Sequence, residues 1–83
     1  MEYEYLTASQ KAAGVQQRIV ELEGEHFSNT VYLFEAKIIG AENDIRDFTT
    51  KNQGLEKRIA GLKEMLKELT EELVSEEVDG TNS

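Results

Sequence analysis

From Phe27 onward the apolar residues of this chain recur at alternating intervals of four and three. The series runs Phe27, Val31, Phe34, Ile38, Ala41, Ile45, Phe48, then Asn52 in the same phase, then Leu55, Ile59, Leu62, Leu66, Leu69 and Leu73. On a helix this spacing gathers every member onto one stripe, the seam that coiled coils bury. Strands need an alternation of period two, which only Tyr3-Glu4-Tyr5 hints at. With no proline anywhere to break a helix, the pattern predicts an all-α protein.

Helix ends follow from local chemistry. Thr7-Ala8-Ser9-Gln10 matches a capping box, so a helix is expected to begin at Thr7, after a flexible arm over 1–6. Gly40 suits the left-handed position past a helix end, with Lys37 in the turn before it. Asn43 or Asp44 can cap a second helix. This divides a single helical domain over 7–75 into helices near 7–39 and 43–75, each about 50 Å long at ~1.5 Å per residue. Folded back at Gly40, they form an antiparallel hairpin in which Phe34 faces Phe48, Phe27 faces Leu55 and Val20 faces Leu62. Two other layouts compete with it. The step from Leu22 to Phe27 is five residues, out of phase, and places a break near Gly24 or Ser28-Asn29-Thr30. The unbroken series through Gly40 also fits a single long coiled-coil helix. On either side of Leu73 the glutamates Glu71, Glu72, Glu76 and Glu77, with no cation among the last turns, oppose the helix dipole, so 76–83 reads as a disordered acidic, polar tail.

The two helices differ in the width of their apolar face. Ile45, Phe48, Leu55, Ile59, Leu62, Leu66, Leu69 and Leu73 make a narrow stripe that one partner helix can cover. In the first helix Val20, Phe27, Val31, Phe34 and Ile38 lie on one side, while Val15, Ile19, Leu22 and Leu33 lie ~100° or more away on the helical wheel. If the narrow helix covers the Phe27 side, Val15, Ile19 and Leu22 are left for a second chain. The expected assembly is then a homodimeric four-helix bundle with the first helices central. Asn52, on the seam, either fixes register or lies opposite Val31 where water reaches it.

Composition sharpens this. A chain of 83 residues is one domain with a thin core, and small cores commonly rely on disulfides, metals or oligomerisation. There is no cysteine, which excludes disulfides and thiolate metal sites. The thin core favours a second copy of the chain as partner, while the formal charge of −8 argues against binding nucleic acid and would suit a protein with a basic surface. No apolar run approaches the ~20 residues that span a membrane, and Met1–Tyr5 lacks signal-peptide features, so the expected location is the cytoplasm.

Candidate chemistry is sparse. Glu23 and His26 form an E-x-x-H pair, which ferritin-like di-iron bundles use twice together with further glutamates. In the hairpin register Glu56 lies at the level of His26, so a dimer would supply two sets. Against this, Gly24 sits inside the motif, and such pairs arise by chance in a glutamate-rich chain. No nucleophile–histidine pairing, Walker sequence or dinucleotide fingerprint is present. The residues therefore predict a non-enzymatic coiled-coil interaction module, a scaffold or adaptor without cofactor. The alternatives are a di-iron hairpin dimer using Glu23, His26 and Glu56, and an acidic decoy that inhibits a basic nucleic-acid-binding protein.

Overall fold

The computed structural model describes the backbone of residues 5–82 and the side chains of residues 5–74. It contains two helices, α1 (Ala8–Ile39) and α2 (Glu42–Asn82), packed against each other as a hairpin. The arm over 1–6 lies outside the described residues except for Tyr5 and Leu6.

Each end of α1 is fixed by hydrogen bonds that the helix itself cannot make. The Gln10 amide N–H donates to Thr7 Oγ1 at 3.1 Å, and the Thr7 N–H donates to Gln10 Oε1 at 2.9 Å, completing the capping box. At the other end Gly40 adopts φ 71° and ψ 28°, a conformation costly for any residue with a Cβ. The Ala41 N–H then reaches back to the Ala36 carbonyl at 2.9 Å, and Gly40 bonds the Lys37 carbonyl. These bonds satisfy the last carbonyls of α1 and reverse the chain. α2 begins at once. Its first bond runs from the Ile45 N–H to the Ala41 carbonyl at 3.0 Å, so Asn43 and Asp44 stand inside the first turn instead of capping it. Asp44 and Glu42 there still suit the positive end of the dipole.

The chain thus turns once, at Gly40. α1 runs without interruption through Gly24 and Ser28-Asn29-Thr30, and α2 continues as helix past 75 to Asn82. Neither the early break nor the single rod occurs. The hairpin measures 64 × 26 × 14 Å, a layer only one helix thick.

The seam between the helices differs from expectation in one respect, the rotation of α1 about its own axis. Val15, Ile19, Leu22 and Ala36 are buried against α2, with Ala12, His26, Asn29 and Leu33 half-buried among them. Val20, Phe27, Val31, Phe34 and Ile38, expected to face α2, are instead exposed on the outer side. The outer row is offset from the inner one by one and two residues in alternation, so the reassignment is a rotation of about 150° around the helix. Its cause is visible in the spacing: the inner series Val15, Ile19, Leu22, His26, Asn29, Leu33, Ala36 never leaves the alternation of four and three, but two of its members are polar. Following apolar residues alone jumps from the inner stripe to the outer one at Phe27. α2 presents the expected face, with Leu55 and Leu69 buried and Ile45, Phe48, Ile59, Leu62, Leu66 and Leu73 half-buried.

The core is concentrated towards the open end of the hairpin, where Val15, Ile19 and Leu69 pack with Ala12, Ile59, Leu62 and Leu66. Leu22 has no exposed surface at all. Leu22→Ala therefore removes buried methyl groups from a core with few others, and should destabilise the hairpin by about 2–5 kcal/mol. The outward Val20→Ala should change the stability of a single hairpin by less than about 0.5 kcal/mol. Urea denaturation followed by circular dichroism at low protein concentration measures both; equal effects would contradict the assignment of faces.

Candidate interaction surface

Two features of the hairpin go beyond what its stability requires: a polar layer in the middle of the seam, and an apolar stripe outside it.

In the polar layer, His26 and Asn29 replace apolar residues on the inner face of α1, and α2 answers with polar groups. His26 Nε2 lies 2.8 Å from Glu56 Oε2. Asn52 is buried at 7% exposure and donates from Nδ2 to Thr30 Oγ1 at 3.2 Å. Thr30 Oγ1 in turn donates to the His26 carbonyl at 2.9 Å. The Asn52 Oδ1 is buried without a partner. Asn52 thus meets Thr30, not an open gap opposite Val31, and Thr30 is the member of the layer that spacing alone did not single out. Nearer the turn, Tyr32 stacks on Phe48 with centroids 5.4 Å apart, and Lys51 lies 5.1 Å from the same ring. A ring sandwiched this way prefers that face of α1 in register.

The residues considered for metal binding do converge. Glu23, His26 and Glu56 line one open groove together with Ile59, Ala60 and Lys63. Each of the three already has a polar partner, however. Glu56 is bonded to His26, and Glu23 Oε2 is 3.4 Å from Lys63 Nζ. The two glutamates sit on the flanks with side chains 62% and 49% exposed, whereas a bundle di-iron site needs carboxylates projecting inward. Among the described residues no three ligating side chains come close enough to hold a metal ion.

The outer stripe is the larger feature. Val20, Phe27, Val31, Phe34 and Ile38 stand along α1 with exposures of 57, 68, 44, 67 and 70%. They follow one another at heptad spacing, with Gly24 occupying the same line between Val20 and Phe27. Single exposed apolar residues are ordinary on a protein surface, but a contiguous row with two phenylalanines is not. Of the residues read from sequence as interface, Phe27, Val31, Phe34 and Ile38 lie outside, in line with Val20, whereas Val15, Ile19 and Leu22 are consumed by the hairpin and are not left for a second chain. No helix among the described residues is long and apolar enough to cross a membrane. No protein-family model, curated protein or solved structure matches this chain.

Asn52 carries the testable consequence of the polar layer. A desolvated amide oxygen without a partner is costly, while its loss leaves Thr30 still donating to His26. Asn52→Leu should therefore raise the unfolding free energy by about 1 kcal/mol, read as a higher urea midpoint at unchanged slope. A lower midpoint would mean that the Asn52–Thr30 bond contributes more than the buried oxygen costs.

Proposed function

We propose that this chain is a non-enzymatic coiled-coil interaction module, a scaffold or adaptor, that self-associates through the outer stripe of α1. Two hairpins joined there make a four-helix bundle with the first helices central and the second helices outside. The observation that carries this reading is the stripe of Val20, Phe27, Val31, Phe34 and Ile38, heptad-spaced and unused by the hairpin.

Surface area supports it. The accessible surface is 6390 Å², whereas a compact monomer of this mass exposes about 5,000 Å². The difference reflects a layer one helix thick, whose residues have neighbours on one side only. The stripe itself exposes on the order of 500 Å² of apolar side chain, so two copies would bury about 1,000 Å², the size of a small specific interface. Burial at about 25 cal/mol per Å² is enough to oppose the entropic cost of association, but not by a wide margin. A small interface of this kind suits a dimer in the micromolar range. The acidic faces of α2 then remain outermost and give the module a surface suited to a basic protein partner.

Sedimentation across a micromolar concentration series tests the reading. The unmodified protein should shift from monomer towards dimer, and Val31→Glu should hold it monomeric with unchanged helix content, because the substitution places a charge at the centre of the stripe. A monomer mass throughout the series for the unmodified chain would sink the proposal.

A further inference from the structure

Gly24 lies in the outer stripe at the position where the heptad spacing calls for a large apolar residue, and a side chain added there would meet nothing within 4 Å. Glycine inside a helix is destabilising by about 1 kcal/mol relative to alanine, and α1 offers no reason for it: the backbone at Gly24 is ordinary helix. Gly14, Gly54 and Gly61 are equally open, but of these glycines only Gly24 lies in the outer stripe, and the symmetry of that stripe offers a reason. Counting outward from Asn29 in both directions, Phe27 and Val31 are equidistant, as are Gly24 and Phe34, and Val20 and Ile38.

Resting on the self-association proposed above, we infer that α1 pairs with α1 of a second copy in antiparallel fashion, about a two-fold axis at Asn29, with Gly24 as the socket for Phe34. Every layer then joins complementary sizes. Phe27 packs on Val31 of the second copy, Val20 on Ile38, and each Phe34 ring enters the gap left by the missing side chain of Gly24. A two-fold axis generates each of these contacts twice, which is what an isologous interface requires. A parallel pairing would stack Gly24 on Gly24, leaving a void between the Val20 and Phe27 layers, and would crowd Phe27 on Phe27 and Phe34 on Phe34.

The flanking positions agree with the antiparallel arrangement. Only Ser28 and Thr30, next to the axis, meet their own copies, and neither is charged. Further out Glu23 approaches Lys37 of the second copy. Glu21 approaches Glu35, but Arg18 sits 3.2 Å from Glu21 and offsets that repulsion.

Substitution at the socket separates the two arrangements by the sign of its effect. In the antiparallel dimer Gly24→Leu drives a side chain into Phe34 in two layers at once, and the dimer dissociation constant should rise at least ~30-fold. Adding Phe34→Ala to the same chain vacates the space and should recover most of that loss, although Phe34→Ala alone also weakens the dimer. In a parallel dimer Gly24→Leu fills the void and tightens association. Sedimentation equilibrium on the four proteins, with circular dichroism confirming unchanged helix content, reads the outcome. Tighter or unaltered association of Gly24→Leu overturns the antiparallel socket while leaving self-association intact. An unmodified protein that never dimerises overturns both.

Discussion

A layer of two helices can bury only one seam, and α1 carries two apolar stripes. This mismatch governs the molecule. α2 has a single narrow row of apolar residues, and it covers the row of Val15, Ile19, Leu22 and Leu33 that continues through His26 and Asn29 to Ala36. The second row on α1, with its two phenylalanines, has no counterpart among the described residues. At 14 Å the hairpin is too thin to enclose it, and no disulfide compensates for the small core, since the chain has no cysteine. We propose that association supplies the missing layer.

The choice of which stripe faces inward is settled by polar pairing as much as by hydrophobicity. Phenylalanine burial alone would favour turning the outer stripe towards α2. That rotation would separate His26 from Glu56 and Thr30 from Asn52, and would expose Leu22, which is now wholly buried. It would also strip Asn52 Nδ2 of its bond to Thr30, leaving both ends of the buried amide unpaired where only Oδ1 is unpaired now, a further cost of about 1–3 kcal/mol in a domain whose total stability is small. The polar layer thus acts as a register key: modest in energy when made, expensive when broken.

Much of the architecture was legible in the sequence because local signals agreed. The Thr7–Gln10 capping box, the left-handed Gly40 with Lys37 before it, and the heptad row of α2 each point to the same hairpin. The level of His26 against Glu56 followed from the placement of the turn. What could not be read was the rotation of α1. His26 and Asn29 interrupt the inner row with polar residues, so a count of apolar positions crosses at Phe27 to the neighbouring stripe. The information that decides the face lies in pairs, His26 with Glu56 and Thr30 with Asn52, and pairs appear only when the two helices are side by side. Gly24 was likewise ambiguous, since its fitness as a socket depends on a second copy.

The division of labour between the stripes, inner for the hairpin and outer for association, is the central claim. Thiol reactivity in a protein without native cysteine tests it at single positions. A cysteine at Leu22 should be protected from alkylation at every protein concentration, because the hairpin itself buries it. A cysteine at Val31 should react freely in dilute solution and become protected as concentration rises through the micromolar range. Free reaction at Val31 at all concentrations, or protection at Leu22 that depends on concentration, would contradict the account.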